Sequence, residues 1–470
     1  MALSKVGSNQ IDSAASLTVS GNVSADGGTI KLDGAFPTGT DNTALGDGAL
    51  DDGSLSGGYN VAVGEAALGE NEGGQENVAV GWNSLDANTS GNNSTAVGSQ
   101  SLSGNTTGGS NVAVGKNALR ANTTASNNTA VGYVGLSANT TGAANTSVGS
   151  LALDANTTGD NNSAFGVNAL STNTTADANS AYGYQALYSN TTGANNVSVG
   201  VNSLFANTTA SNNTAVGYAA LINNTTGTKN FAAGYNSGIG TTTGQYNTYV
   251  GADSGASATT ASFNTFVGST DGTYGGAGGS TTGDRNTFIG NGSGSRVSTG
   301  YRNTILGRYN GNQGGLNISA AYNHIVLSDG DGNPRLYLNA NGTLFVPQIY
   351  NDTTSNPANM QVNSAGVIHR STSSRRYKNT ITDATHGLTE LLTLRPITYK
   401  GNNDGDTVFG GLIAEEVHDA GLTEFVQYND DDEPDALAYG NMVSLCIKAI
   451  QELKTELDEA KARIAALEAG

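Results

Sequence analysis

The chain has 470 residues, of which 66 are Gly, 6 Pro, 1 Cys and 1 Trp, with only 13% charged residues and a formal net charge of −19. Gly is about twice, and charge about half, the average of soluble proteins, a balance unlike that of an ordinary enzyme domain. The acidic surplus argues against wrapping nucleic acid or inserting into lipid, no stretch approaches the ~20 apolar residues of a spanning helix, and residues 1–20 hold no apolar secretory core.

Residues 1–40 form a separate N-terminal segment ahead of a repeat. From Gly64 to Gly268 the same residue recurs through twelve consecutive intervals of 17, with outlying copies at Gly46, Gly290 and Gly307. Each copy reads N-x-A-V-G-x-x-A-L, as in Asn60 to Leu68, and a polar NTTG or NTTA turn follows. A register this long means stacked units rather than linker. Seventeen residues suit one coil of a β-solenoid with two short strands and two turns, and sixteen coils at ~4.8 Å give a rod on the order of 75 Å. The expected interior is the apolar column just before the motif Gly (Val63, Val80, Val97, Val114, Val131, Phe165, Tyr182) together with the Leu column four residues after it. In NTT-G, Asn and Gly accept positive φ. Stacking would place Asn42, Asn60, Asn77, Asn111 and Asn128 above one another, with amides bonding along the axis.

Near residues 222–240 the columns change. The Leu column becomes Gly238, Gly255, Gly272, Gly294 and Gly311, while the Ala column two before the motif Gly becomes Tyr249, Phe266, Phe288 and Ile305. Volume lost at one core position is restored from its neighbour, which predicts two stacked segments of different cross-section.

The N-x-A-V-G pattern, over about residues 42–311, resembles the head repeats of trimeric autotransporter adhesins and similar repeats in tail fibres of marine phages. That resemblance implies a mainly β fold, a left-handed parallel β-roll assembled as a trimer, with the roll spanning residues 41–320. The 17-residue period is longer than the adhesins' usual one, and this sequence has neither an export signal nor a C-terminal membrane barrel.

Residues 321–372 read as connecting β structure: NHIVLSDGDGNPRLYLNANGTLFV gives alternating strands with D-G and N-G turns, and MQVNSAGVIHR gives another strand pair. Charge then becomes common. Tyr439, Val443, Cys446, Ile450, Leu453, Leu457, Ala460, Ile464 and Leu467 follow an unbroken 4-3 spacing, which predicts a coiled-coil helix over 439–468. β-Branched residues at a (Val443, Ile450, Ile464) with Leu at d (Leu453, Leu467) lean towards two strands, so the heptads alone do not establish a trimer.

Ahead of that helix stand Ser373-Ser374-Arg375-Arg376-Tyr377-Lys378-Asn379, then LLTLRPITYK (391–400), then FGGLIAEEV (409–417), and on the helix IKAIQEL (447–453). In that order they resemble the self-cleaving intramolecular chaperone domain at the C-terminus of endosialidase-type phage tailspikes and many tail fibres. The resemblance implies an α+β chaperone domain over 373–470 that nucleates a trimer and then cuts itself off. Carried over, Ser373 is the nucleophile that attacks the Thr372 carbonyl, Lys378 is the neutral general base, and cleavage falls after Thr372. Arg375 and Arg376 would help to depress the lysine's pKa. The sequence departs from the family's usual pattern at Ser374, commonly Asp, and at Tyr377, commonly Leu.

Other features receive plainer readings. The NTT tripeptides are sequons in form and turns in function, and the Thr columns suit strand exposure better than ice binding. Trp82, Tyr133, Tyr184, Tyr218 and Tyr235, each just after a motif Gly, are placed at the rim of the roll, with sugar stacking as the alternative. His324, His369, His386 and His418 lie outside the Gly-motif coils with no Cys nearby, so neither a metal site nor a cofactor is expected. Asp51-Asp52 and Asp430-Asp431-Asp432 read as solvated loops. The expectation from the whole sequence is a homotrimeric phage tail fibre, located in the virion and made in the host cytoplasm. Residues 1–40 would attach to the tail or baseplate, and the roll would meet a host receptor or glycan, with no activity on external substrates. A cellular adhesin and a depolymerising tailspike are the alternatives.

Overall fold

The computed structural model describes residues 41–52, 54–270, 276–279, 282–347, 360–362, 368–370, 380–401, 406–429 and 431–469. The chain divides into two units, Met1–Asp352 and Thr353–Gly470.

The first unit is a parallel β-solenoid of about sixteen turns. Each coil contributes one three-residue strand, from Thr43–Leu45 to Thr304–Leu306, and each strand pairs in parallel and in register with the next, as Val78–Val80 does with Thr95–Val97. Ile325–Ser328 adds a further parallel rung, then turns back into an antiparallel meander with Pro334–Leu338 and Leu344–Phe345.

Among the described residues the second strand expected in each Gly-motif coil is absent, and the reason is backbone conformation. In the coil of Gly81, that residue has φ +137°, Asn83 +51°, Leu85 +51° and Asn93 +59°. Left-handed residues interleaved with right-handed ones bend the chain at each step, so no extended run forms beyond the single strand. Inter-coil pairing nevertheless continues around the circuit: N–H groups of Leu85, Thr89 and Thr95 reach carbonyls of Ser101, Thr106 and Asn111 at 2.9, 2.8 and 2.8 Å. A left-handed Leu costs roughly 1–2 kcal/mol, and burial of its side chain with these bonds offsets that cost.

The core is thin. Strand centres (Ala62, Ala79, Ala96, Ala113, Ala130) and the Leu column (Leu68, Leu85, Leu102, Leu119, Leu136) are fully buried. The apolar column before the motif Gly faces outward instead, with Val97, Val131, Tyr182 and Val216 at 36–41% exposure. In a strand of three only the middle side chain points in, so its two neighbours point out.

The motif Gly is required twice over. At Gly132, φ is +140° and a Cβ would stand 2.4 Å from the Gly149 carbonyl oxygen. The Gly of the polar turn is different: Gly108, Gly142 and Gly193 do not have positive φ, and Ala125, Ala176 and Ala210 occupy the same column. Positive φ falls on the residues two and four after the motif Gly and five before it.

Two asparagine ladders hold the coils together. In the expected one, the Asn77 N–H donates to Asn60 Oδ1 at 2.9 Å and Asn77 Nδ2 to the Gly91 carbonyl at 2.9 Å. The second is built from the NTT asparagines: Asn156 Nδ2 donates to Asn139 Oδ1 at 2.9 Å and to the Gly159 carbonyl at 3.0 Å, and this repeats from Asn88 to Asn224. It stops at Asn224, whose Oδ1 has no partner, where the next coil has Thr241.

There the interior changes as the columns predict. Tyr249, Phe266, Phe288 and Ile305 are fully buried, and Phe266 stacks on Phe288 at 5.0 Å. Cβ atoms at Gly238, Gly255 and Gly294 would strike these rings at 2.7, 2.4 and 2.3 Å. Gly272, expected in that column, lies outside the described residues. Gly278 occupies the place against Phe266, because the coil from Gly268 to Gly290 is 22 residues long and the extra residues precede it.

The second unit is α+β. Helices Leu388–Thr393, Ala414–Asp419 and Tyr439–Glu468 are joined by the strand pairs Ile397–Tyr399 with Phe409–Gly411 and Val426–Tyr428 with Pro434–Leu437, and Met360–Val362 pairs with Ile368–Arg370. Val417, Leu422, Phe425, Val426, Met442 and Leu445 form its core.

Candidate functional site

Thr372, Ser373 and Lys378, with the intervening Ser374, Arg375, Arg376 and Tyr377, lie outside the described residues, so their geometry is not described. The first two downstream segments meet on a core that the start of the long helix completes. Leu391 and Leu394 of LLTLRPITYK and Leu412 of FGGLIAEEV pack on the core that Met442 and Leu445 complete. Arg395 is paired to Glu416, the Leu412 N–H donates to Tyr439 Oη at 2.7 Å, and the Leu388 N–H donates to Glu452 at 2.7 Å.

The long helix presents two faces. Met442, Leu445 and Ala449 are buried against its own unit. The heptad seam is a different stripe: Val443, Ile450, Leu453, Leu457, Ile464 and Leu467 are exposed, as is Cys446. Helix bounds Tyr439–Glu468 match the expected 439–468.

One ionisable pair in this unit sets a pH dependence. His386 Nδ1 donates to Glu424 Oε1 at 2.7 Å; that hydrogen bond and charge raise the His386 pKa above its usual 6.5, with a smaller push from Glu390. A raised folded-state pKa stabilises fully below 6.5, and the contribution is lost as pH rises through the folded value. NMR titration of His386 is therefore expected to give a midpoint above 6.5 that falls in Glu424→Gln; an unchanged midpoint would refute the pairing.

On the roll, the outward strand column is an apolar row. Leu45, Val97, Val131, Tyr182, Val199, Val216, Ile289 and Leu306 are all exposed. Trp82, Tyr133, Tyr184, Tyr218 and Tyr235 project from the adjoining turns, each about half exposed. The NTT asparagines from Asn105 to Asn224 are fully buried, which closes them as sequons in the folded roll. Thr hydroxyls are occupied too: Thr106 Oγ1 donates to the Thr123 carbonyl at 3.1 Å, and the pattern repeats to Thr242. The second Asn ladder was missed as a load on those side chains. Its signal was an Asn that never varies to Asp, Ser or Gly over ten coils, where a turn alone would accept any of them.

Among the described residues no helix is long and apolar enough to cross a membrane, and no cluster of His, Cys, Asp or Glu converges as a metal site. Compared with protein-family models, with curated proteins and with solved structures, the chain has no match.

Proposed function

We propose that this chain is a homotrimeric virion tail fibre that attaches to host cells, with a left-handed roll as its shaft. Its C-terminal domain would direct trimer assembly and then be released by cleavage before Ser373. The observation that carries the reading is the row of outward apolar side chains along the roll. Soluble monomers rarely leave a continuous apolar patch above roughly 600 Å² open to water, and a neighbouring copy with the same row covers it rung for rung. The open heptad seam of the terminal helix supports self-association at the other end of the chain.

In the cleavage step, the Ser373 hydroxyl oxygen attacks the Thr372 carbonyl carbon and neutral Lys378 takes its proton. The amide C–N bond breaks, the amine of Ser373 leaves protonated, and water hydrolyses the resulting ester. The sequence motif and the packing of its downstream segments on the long helix support this step. Sedimentation analysis tests assembly, with a mass of three chains expected; a monomer refutes it. Mass measurement tests cleavage: the wild type is expected to yield a C-terminal fragment beginning at Ser373, and Ser373→Ala to remain whole. Two intact chains would refute self-cleavage and leave assembly to the first measurement.

A further inference from the structure

Five consecutive coils from the core change onward carry an unbroken row of cationic and aromatic side chains. Five residues before each motif Gly stand Lys229, Tyr246, Phe263, Arg285 and Arg302, all at φ between +56° and +60° and all exposed. In earlier coils the same column holds a single aromatic, Tyr59, followed by Glu76, Asn93, Ser110, Asn127 and Ala144. A shared left-handed backbone aims every Cα–Cβ bond of the row in the same outward direction, so their alignment is set by the fold.

The first four members touch in sequence. Lys229 Nζ lies 4.7 Å from the Tyr246 ring centroid and donates to Tyr246 Oη at 2.8 Å. Tyr246 stacks on Phe263 at 5.0 Å with rings 6° from parallel, and the Arg285 guanidinium lies 5.3 Å from the Phe263 ring. Arg302 lies 5.7 Å from Tyr301, which stacks on Tyr322 at 5.3 Å. Among the described residues, none of these three cations forms an ion pair. Asp284, beside Arg285 in the chain, has its Oδ1 engaged by the Ser262 N–H at 2.7 Å.

Local charge follows the same division. Residues 41–228 contain two Lys or Arg against twelve Asp or Glu, whereas residues 229–347 contain six against five. Within the solenoid, the cations are thus concentrated in one stretch.

We propose that this row is a binding ridge for an acidic polysaccharide. The ring faces are closed by one another, by Lys229 and by Arg285, so the rings present their edges, which carry the positive end of the aromatic quadrupole. Edges and cations together favour anionic oxygens. Closed faces leave no platform on which nucleic-acid bases stack, which disfavours single-stranded nucleic acid as the ligand. At ~4.8 Å per coil the row is on the order of 20 Å long, and an extended polymer bearing carboxylates or sulfates fits a straight line of separated cations. The biological purpose of the ridge rests on the attachment reading, but binding itself does not.

The test is binding of the full chain to defined-length polyuronate, to a sulfated polysaccharide, to neutral dextran and to single-stranded DNA at several salt concentrations. Tight, salt-sensitive binding to at least one acidic polysaccharide is expected, with dextran inert. Lys229→Gln with Arg285→Gln should weaken it at least tenfold with an unchanged melting temperature, while Lys116→Gln with Arg120→Gln, in earlier coils, should have no effect. Equal affinity of the two double variants, no acidic-polysaccharide binding, or tighter binding of DNA would overturn the proposal. Assembly state, measured by sedimentation on the same samples, separates this failure from failure of the fibre reading.

Discussion

Gly132→Ala is expected to cost the roll at least about 4 kcal/mol, among the largest effects of any single methyl group in this chain. The added Cβ would stand 2.4 Å from a backbone oxygen at a φ of +140°. Neither atom sits on a flexible side chain, so relief requires moving apart two coils that the Gly149 N–H to Val131 carbonyl bond holds at 2.8 Å. In a solenoid each coil touches only its neighbours, so the break appears as local opening before global loss. Gly73→Ala is the comparison. Gly73 has no positive φ and a Cβ there would meet nothing closer than Ser56 Oγ at 3.8 Å, so the expected change is within about 1 kcal/mol. Chemical denaturation of both variants checks the contrast, and equal losses would refute the steric account of the motif column.

Asn156→Asp is the second large effect. Asn156 is fully buried, donates to two acceptors and accepts from Asn173 Nδ2 at 2.9 Å. A carboxylate retains only the accepting role and faces Asn139 Oδ1 and the Gly159 carbonyl without a proton to offer. An uncompensated buried charge of this kind costs about 3–5 kcal/mol. Burial among acceptors raises the folded-state pKa of the new Asp above its unfolded value of about 3.9. The penalty is therefore smallest in acid, where the protonated group donates again, and grows as pH rises above the unfolded value. Melting temperatures from pH 4 to 8 should separate progressively between variant and wild type. A constant difference would mean that the ladder tolerates a charge.

The coil and much of its interior were legible in the sequence because stacking forces each structural column to be a sequence column. Leu85 and its counterparts, the compensation between Gly255 and Tyr249, and the helix from Tyr439 could all be read that way. Facing was not legible for the Val column. Val97 and the adjacent Ala96 are both apolar, and nothing in a three-residue strand says which belongs inside until the small size of the buried Ala is recognised as the mark of a narrow core. The single strand per coil was hidden for a related reason. Its sign was the frequency of Asn two residues after the motif Gly (Asn83, Asn117, Asn168, Asn202), since Asn is the non-glycine residue that enters left-handed backbone most readily. The chemistry around Ser373 was legible only through resemblance, because a Ser and a Lys five residues apart carry no signature by themselves.

The uniform register also bears on how such a solenoid changes over generations. The backbone bonds between coils in the region of Gly64 to Gly217 join residues 16 to 18 positions apart, and most recur coil after coil. Removing or duplicating a 17-residue block within that region therefore brings each column back onto itself: Asn meets Asn, Leu meets Leu, and the motif Gly again lies under a carbonyl. Length becomes a heritable quantity that varies in whole steps of ~4.8 Å, at little cost to either end. The coil from Gly268 to Gly290, with its 22 residues, and the aromatic segment around it cannot be exchanged in this way. The length of the solenoid is free to drift, while the stretch that bears most of its cations stays fixed in form.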